Sequence, residues 1–203
     1  MRKFISGLVL GAGGSQRLGP PKQLLPFRGT TMLGWVVDQA QHAQQLDEVV
    51  VVLGRAAEEI RECVGFGAAR VVENPMFGEG CSSSYRTGIR ALKAESTAIM
   101  IILGDQPGIT PEIIDRLAAA WRAHESPITL CSYEGRKGHP MIFAQSMFPQ
   151  LMDLHGDKAA WKLVDANAAV VQEVHVNLPF PDDVNTREDF ERLASVANTG
   201  TEN

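Results

Sequence analysis

The sequence has few cysteines, no long apolar run and no excess of basic residues. Its cysteines, Cys63, Cys81 and Cys131, lie far apart and form no Cys-x-x-Cys motif. This spacing excludes a disulfide framework and the common zinc motifs. No run approaches the roughly 18 to 20 apolar residues that a membrane-spanning helix requires. We therefore expect a soluble, cytoplasmic protein with no membrane partner.

The charge balance is mildly acidic, with 19 Lys and Arg residues against 24 Asp and Glu residues. Proteins that bind nucleic acid usually carry a basic face, so we expect no nucleic-acid partner and instead small anionic ligands at local cationic spots. A 203-residue chain that is 44% hydrophobic is long enough for one domain with a substantial core. We assign residues 1–197 to a single domain and residues 198–203 to a flexible tail.

The glycine-rich stretch at residues 8–22 lacks both common nucleotide-binding signatures. It reads Leu-Val-Leu-Gly-Ala-Gly-Gly-Ser-Gln-Arg-Leu-Gly-Pro-Pro-Lys. A dinucleotide fingerprint needs a glycine where Gln16 stands, and an acid after the next strand, which is followed by Gly54 and Arg55. A P-loop needs Gly-Lys-Ser/Thr, whereas Gly19 is followed by two prolines.

The same stretch does have the composition of a phosphate-binding loop. Gly11, Gly13 and Gly14 lack a Cβ atom, which allows backbone N–H groups to approach an anion closely. Arg17 and Lys22 add positive charge. The glycines alone would equally fit a strand-to-helix turn without a ligand, and the two cations favour phosphate.

Strand and helix patterns alternate along the first two thirds of the chain. We predict strands at 4–10, 48–53, 69–73 and 98–103, and helices at 31–45, 56–64, 82–94 and 110–123. Further strands are predicted at 128–133, 140–143 and 170–176, and further helices at 147–154, 158–167 and 187–196. The alternation predicts a three-layer α/β/α, mostly parallel, Rossmann-like sheet with a short antiparallel addition in the second half.

Two acidic segments contain candidate metal ligands. Asp105 follows an apolar strand directly, so it lies at the carboxyl edge of the predicted sheet beside the glycine loop. A carboxylate together with phosphate oxygens is the usual way to hold Mg²⁺, although an Asp in a turn before Pro107 is the structural alternative. Asp183 and Asn185 offer oxygens late in the chain, and Thr186 with Asp189 forms a capping-box pattern.

Several motifs, in the same order along the chain, resemble those of the MobA-like nucleotidyltransferases. They are the start at residues 10–22, Gly104-Asp105-Gln106-Pro107, and the run from Asp183 to Asp189. Asn74-Pro75 with Gly80 and Ser84, Gly138-His139-Pro140 and Gly156-Asp157 resemble the molybdenum cofactor cytidylyltransferases in particular. The resemblance implies a fold of the nucleotide-diphospho-sugar transferase type. It also implies a reaction in which the phosphate of molybdopterin attacks the α-phosphate of CTP and pyrophosphate leaves.

The resemblance also implies a role for each matching residue. Nucleotide binding falls to Leu10, Gly11, Ala12, Gly13, Gly14, Ser15, Arg17, Lys22, Gly80, Ser84 and Asp105. Arg17, Lys22 and Asp105 are catalytic; Asp105, Asp183 and Asn185 hold Mg²⁺, with Mn²⁺ as an alternative; Gly138, His139 and Pro140 bind the acceptor. A loop histidine bonded to backbone is the structural alternative for His139. CTP and molybdopterin are the implied substrates, and a recipient molybdoenzyme is a further implied partner.

The sequence departs from the family pattern in its last motif. The family usually reads Asp-x-Asp-Thr-Pro-Glu-Asp, whereas here Asn185 replaces the second acid and Arg187 the proline. An Asn oxygen carries no charge, so either the metal site is weaker or Asp183 contributes more. Two other activities fit the same motifs: transfer from GTP or to another phosphorylated acceptor, and non-catalytic carriage of the cofactor. The cations and Asp105 argue against a carrier, which needs no metal ligand beside a triphosphate site.

Overall fold

A seven-stranded, mostly parallel sheet forms the centre of the computed structural model, which describes residues 2–13, 20–157 and 159–199. The strands are β1 (Phe4–Gly11), β2 (Pro26–Phe27), β3 (Thr30–Thr31), β4 (Glu48–Leu53), β5 (Arg70–Glu73), β6 (Ser96–Leu103), β7 (Ile128–Tyr133), β8 (Arg136–Ala144) and β9 (Val171–Val176). Their order across the sheet is β5-β4-β1-β6-β8-β7-β9, and β2 pairs with β3 in a separate hairpin. Because the chain order reverses beside β1, a crevice is expected where β1 and β6 end.

Helices cover both faces of the sheet. Those of the described residues are α1 (Met32–His42), α2 (Ala57–Cys63), α3 (Cys81–Arg90), α4 (Pro111–His124), α5 (Phe148–Met152), α6 (Ala159–Ala166) and α7 (Arg187–Thr199). One core cluster joins the sheet to α1, α2 and α4, and a second joins the opposite face to α3, α5 and α6. None of these helices, within the part of the chain that the structure describes, has the length and apolar character needed to cross a bilayer.

The predicted fold class is confirmed, with one difference in the antiparallel part. β8 runs for nine residues and pairs with β6 as well as with β7, so it lies inside the sheet and not at its edge. Glu134 and Gly135 between the two strands both have positive φ angles, 49° and 81°. That backbone is the type I′ form that matches strand twist, which explains why β8 turns back directly along β7.

Local signals fixed some helix ends and missed others. Thr31 caps α1 by accepting a hydrogen bond from the amide of Gly34, and Pro111 is the first residue of α4, where the missing N–H of proline costs nothing. The helix predicted at 82–94 is α3, which begins one residue earlier, at Cys81, with Gly80 at the cap position, and ends at Arg90. The last helix extends to Thr199, so residues 198 and 199 are helical, and 200–203 lie outside the described residues. The division into one domain and a tail stays a prediction.

Candidate active site

The glycine loop leaves the sheet where β1 ends, and the described residues include its first part. Leu10 and Gly11 end β1, Ala12 is buried, and Gly13 is exposed. Gly14, Ser15 and Arg17 lie outside the described residues, so their assigned contacts with nucleotide stay predictions.

Gln23 anchors the start of this loop, a role that no motif in the sequence indicates. Its side-chain amide donates to the carbonyl oxygens of Gly11 at 2.7 Å and of Gly13 at 2.9 Å. The side chain is buried, and its own oxygen Oε1 has no hydrogen-bond partner among the described residues. Because one buried amide donates to both carbonyl oxygens, it fixes the direction in which the loop leaves the strand.

Asp105 lies beside the same strand end because β6 approaches β1 closely there. The amide of Gly104 donates to the carbonyl oxygen of Leu10 at 3.0 Å. A Cβ atom on Gly104 would lie only 2.8 Å from that oxygen, so a glycine is needed before Asp105. The carboxylate of Asp105 then forms an ion pair with Lys22, Nζ to Oδ2, at 2.5 Å.

The segment before α7 completes this arrangement from the far end of the chain. The amide of Val184 donates to the carbonyl oxygen of Asp105 at 3.0 Å. The Lys22 ammonium donates to the carbonyl oxygen of Val184 and to Oδ1 of Asn185, both at 3.1 Å. Val184 is fully buried against Phe27, which holds this segment in place.

The segment is also fixed by the start of α7. The hydroxyl of Thr186 accepts from the amide of Asp189 at 3.1 Å, and the Asp189 carboxylate accepts from the amide of Thr186 at 2.8 Å. The predicted capping box is therefore confirmed. The same carboxylate also accepts from the amide of Asn185 at 3.1 Å, so the cap orders the backbone that presents the Asn185 side chain.

Asp183 lies two residues before Asn185 and has a different hydrogen-bond partner. Its Oδ1 accepts a 2.7 Å hydrogen bond from the side-chain amide of Gln106, the residue after Asp105. Burial raises the pKa of Asp183, and the nearby charge of Asp105 raises this pKa further, while Gln106 and Lys22 act in the opposite direction. Two carboxylates thus lie close enough to repel one another, which favours a shared cation.

The donor atoms at this point fit a hard divalent cation. Among the described residues no three His, Cys, Asp or Glu side chains form a metal cluster. The oxygens of Asp105, Val184 and Asn185 nevertheless meet at one ammonium, and Asp183 is close by. Oxygen donors with few carboxylates suit Mg²⁺ or Mn²⁺, which take their remaining ligands from water and phosphate.

Gly80 and Ser84 lie on the opposite side of β1, at the start of α3. Gly80 has a φ of 92°, and a Cβ atom there would lie 2.6 Å from the backbone of Gly156. The carboxylate of Asp157 accepts a hydrogen bond from the backbone amide of Cys81, the first residue of α3, at 3.1 Å. Close backbone packing and an acid from another segment therefore fix this helix end.

The hydroxyl of Ser84 is used within the protein. It accepts from the side-chain amide of Asn74 at 3.1 Å, and both residues are buried. The same amide donates to Ser83 at 2.8 Å, and the Asn74 oxygen accepts from the amide of Met76 at 3.0 Å. Asn74 thereby ties the end of β5 to α3. The assigned contact of Ser84 with nucleotide stays a prediction.

His139 is a buried residue of β8, not a loop histidine. Its side chain lies edge-on to Trp161, 5.8 Å between ring centres, and its Nε2 has no hydrogen-bond partner among the described residues. Burial lowers the pKa of His139 to about 4, although the charge of Asp105 acts to raise it. The imidazole is therefore neutral at pH 7 and within electrostatic range of the Asp105 carboxylate.

Gly138 and Pro140 flank His139 in the same strand. A Cβ atom on Gly138 would lie 2.9 Å from the Phe180 ring and 3.0 Å from the Tyr133 ring. Tyr133 in turn donates from its hydroxyl to the carbonyl oxygen of His139 at 2.7 Å. Aromatic packing on both sides thus fixes the backbone that carries the imidazole.

The structure thus brings five of the predicted site residues together where β6 ends. Lys22, Asp105 and Asn185 are in direct contact, and Asp183 and His139 lie within electrostatic range of Asp105. Sequence reasoning assigned Lys22 to the triphosphate and missed its contacts with the candidate metal ligands. No local pattern could reveal these contacts, because the partners are far apart in the chain.

Comparison with known families and proteins adds an independent line of evidence. The pattern of the MobA-like NTP transferase domain matches residues 7–175. Nicotine blue oxidoreductase of Paenarthrobacter nicotinovorans is 32% identical over 171 residues, which are 77% of this chain and 79% of that protein. Molybdenum cofactor cytidylyltransferase of Escherichia coli K12 is 22% identical over 190 residues, 92% of this chain and 93% of that protein.

Solved structures agree with this fold over almost the whole chain. Rv0371c of Mycobacterium tuberculosis H37Rv superposes with a TM-score of 0.88 and 38% identity, over 96% of this chain and 100% of that one. A second structure of Rv0371c, a complex with manganese, gives a TM-score of 0.83 and 37% identity over 95% of this chain and 98% of that one.

Proposed function

The chain belongs to the family of MobA-like NTP transferase domains, and from this membership we propose that it transfers CMP from CTP to the terminal phosphate of molybdopterin. Nucleotidyltransferase is the activity class of the family. The choice of CTP and molybdopterin rests on the motifs at Gly80, Ser84 and His139 and on the molybdenum cofactor cytidylyltransferase relative. The single observation that carries the proposal is the contact of Lys22 with Asp105 and Asn185 beside the end of the glycine loop.

In the proposed reaction, a terminal phosphate oxygen of molybdopterin attacks the α-phosphorus of CTP. A new P–O bond forms, the bond from the α-phosphorus to the bridging oxygen breaks, and pyrophosphate leaves with the electron pair. The attacking phosphate is already ionised at pH 7, so no side chain has to remove a proton from it. The requirement is to hold two anions together and to stabilise the charge that develops on the leaving group.

The described residues divide this task between them. The backbone at Gly11 and Gly13, fixed by Gln23, lies where the triphosphate would lie along the loop. Lys22 supplies a positive charge for the phosphates. Asp105 and Asn185, with Asp183 close by, would hold Mg²⁺ or Mn²⁺, which supplies Lewis-acid stabilisation of phosphate oxygens when bound.

The acceptor would lie on the side of the crevice formed by β8. His139 is neutral and its Nε2 is unpaired among the described residues, so it offers a hydrogen bond to the acceptor without adding charge. Trp161 beside it provides a flat apolar surface of the kind on which a pterin ring packs. Both features are compatible with a heteroaromatic phosphate as acceptor.

The test is a product analysis with purified protein. We expect CDP-linked product and pyrophosphate, identified by mass, when the protein is incubated with Mg²⁺, molybdopterin and each nucleoside triphosphate in turn. Asp105→Asn should lower the rate by about 100-fold or more, because it removes a metal ligand's charge. Glu62→Gln, an equally small change at an exposed position of α2, serves as the matched control. Absence of product with every triphosphate would refute the proposal.

An oxidoreductase activity is a second candidate, because one relative carries that name. An oxidoreductase that binds a dinucleotide in the Rossmann manner has an acid at the end of the second strand of its sheet, which binds the ribose. Here that strand is β4, and Gly54 and Arg55 follow it. The same incubation with NADH or NADPH and an electron acceptor tests this alternative. Nucleotide oxidation without nucleotidyl transfer would favour it.

A further inference from the structure

The Lys22 ammonium occupies the point at which the candidate metal ligands meet. It donates to Oδ2 of Asp105 at 2.5 Å, to the carbonyl oxygen of Val184 at 3.1 Å and to Oδ1 of Asn185 at 3.1 Å. These three oxygens come from two distant segments, and each is a hard donor of the kind that Mg²⁺ and Mn²⁺ prefer. Lys22 and a divalent cation would therefore compete for the same oxygens.

We propose that Lys22 is the internal counter-ion of the metal site and makes divalent-cation binding depend on nucleotide. In the free protein its ammonium neutralises Asp105 and holds Asn185. An incoming triphosphate offers this ammonium a more highly charged partner and draws it away, which leaves the oxygens for the cation. The inference rests on the proposed use of a triphosphate and adds the order in which nucleotide and cation bind.

Electrostatics make simultaneous occupancy unfavourable. The side chains of Lys22 and Asp105 are only 13% and 22% exposed, so solvent screens their charges weakly. A divalent cation at the Asp105 and Asn185 oxygens would face a positive charge at hydrogen-bond distance from the same atoms. The repulsion is removed only when the ammonium moves.

The structure allows this movement without a change of fold. Lys22 begins a short 3-10 helix that continues to Leu24, and Pro20 and Pro21 precede it, so its backbone is constrained. The side chain is a flexible chain of four carbons that ends in a compact ammonium charge. It can therefore reach a new partner by rotation about its own bonds. A Cβ atom on Gly13 of the glycine loop would lie 3.9 Å from Cε of Lys22, so the two are close.

Thermodynamic linkage gives a measurable consequence. If nucleotide draws Lys22 away from the metal oxygens, nucleotide must tighten cation binding, and the cation must tighten nucleotide binding by the same factor. Removing the charge of Lys22 should produce much of the same increase in cation affinity in the absence of nucleotide.

The experiment measures Mn²⁺ binding to the metal-free protein, by the electron paramagnetic resonance signal of free Mn²⁺, without nucleotide. We expect Lys22→Met to bind Mn²⁺ at least about tenfold more tightly than the wild type. Lys22→Arg, which keeps the charge, should remain near the wild type. Lys3→Met is the matched control, because Lys3 pairs with Glu125 on the surface and its loss changes the net charge equally.

Two further measurements test whether the tighter Mn²⁺ binding arises at this site. Adding Asp105→Asn to Lys22→Met should abolish the gain, and a non-hydrolysable CTP analogue should tighten Mn²⁺ binding more in the wild type than in Lys22→Met. Lys22→Gln is measured in parallel, and thermal unfolding verifies that the variants fold. Equal or weaker Mn²⁺ binding by folded Lys22→Met and Lys22→Gln, or an equal gain in Lys3→Met, would overturn the inference. None of these measurements requires turnover, so failure of the proposed function appears separately, as absence of product from the wild type.

Discussion

The backbone amide of Val184 donates a hydrogen bond to the carbonyl oxygen of Asp105 at 3.0 Å. This bond joins the end of β6 to the segment before α7, and so it brings Asp105 and Asn185 to the same Lys22 ammonium. Val184 is fully buried beside Phe27, so packing and hydrogen bonding act together. The candidate metal site therefore forms only when these two distant segments of the chain pack together.

Nucleotide choice is expected to favour CTP over GTP. Ala12 is buried at the start of the glycine loop, and its methyl group takes up room beside the loop that a glycine would leave open to a larger purine base. We expect kcat/KM for CTP to exceed that for GTP by about tenfold or more, and Ala12→Gly to narrow this ratio. Steady-state kinetics with both nucleotides measure it; faster turnover with GTP would contradict the prediction.

Gln23→Leu should impair nucleotide use through the loop backbone. The substitution removes both hydrogen bonds to Gly11 and Gly13 and leaves two carbonyl oxygens without that donor. We expect a loss of about 1–3 kcal/mol in folding free energy and an increase of about tenfold in KM for CTP. Urea unfolding and initial rates give the two values. Gln145→Leu, at an exposed site, is the control, and an equal effect there would remove the assigned role of Gln23.

Gly104→Ala should destabilise the protein because β1 and β6 leave no space for a methyl group. The new Cβ atom would meet the carbonyl oxygen of Leu10 at 2.8 Å and Cδ1 of Leu33 at 2.9 Å, and the backbone atom cannot move away cheaply. We expect a cost of about 1–3 kcal/mol in folding free energy. Gly65→Ala, where no atom lies within 4 Å of the new Cβ, should change stability by less than about 0.5 kcal/mol. Thermal unfolding of the pair provides the comparison.

Stability should fall in acid because of His139. Burial lowers its pKa in the folded state to about 4, below the ordinary value of 6.5. Between pH 4 and 6.5 the unfolded chain binds more protons than the folded protein, so acid favours unfolding. The contribution of His139 to the free energy of unfolding is therefore complete above pH 6.5. It falls by up to about 3 kcal/mol as the pH is lowered to 4.

The control for this prediction is His139→Gln, which should show a weaker loss of stability over the same pH range. The other histidines, His42, His124, His155 and His175, are exposed, so the comparison of the two proteins isolates His139. Urea unfolding at pH 7 and pH 4.5 gives the difference. An NMR titration that places the pKa of His139 at or above 6.5 would contradict the prediction.

The regular elements could be predicted from the sequence because their signals are local. The apolar runs at β4 and β6 and the spacing in α1 and α4 reflect burial on a sheet or on one helix face, which neighbouring residues suffice to encode. The extent of β8 could not be read, because Gly138 and His139 resemble a turn. They become strand residues only through pairing of β8 with β6 and β7.

For the site, the sequence by itself determined which residue types stand at the strand ends: Lys22 after the glycine loop, Asp105 after β6 and Asn185 before a capped helix. Only the tertiary structure decided which of them meet. Lys22 and Asn185 are 163 positions apart in the chain, and Gln23 carries no motif, yet their contacts order the loop and the metal oxygens. A sequence pattern records the conformational preference of neighbouring residues, whereas a contact between distant residues depends on how the whole sheet, its crossovers and α7 pack. That packing brings the ammonium and the carboxylate together and excludes the water that would otherwise screen them.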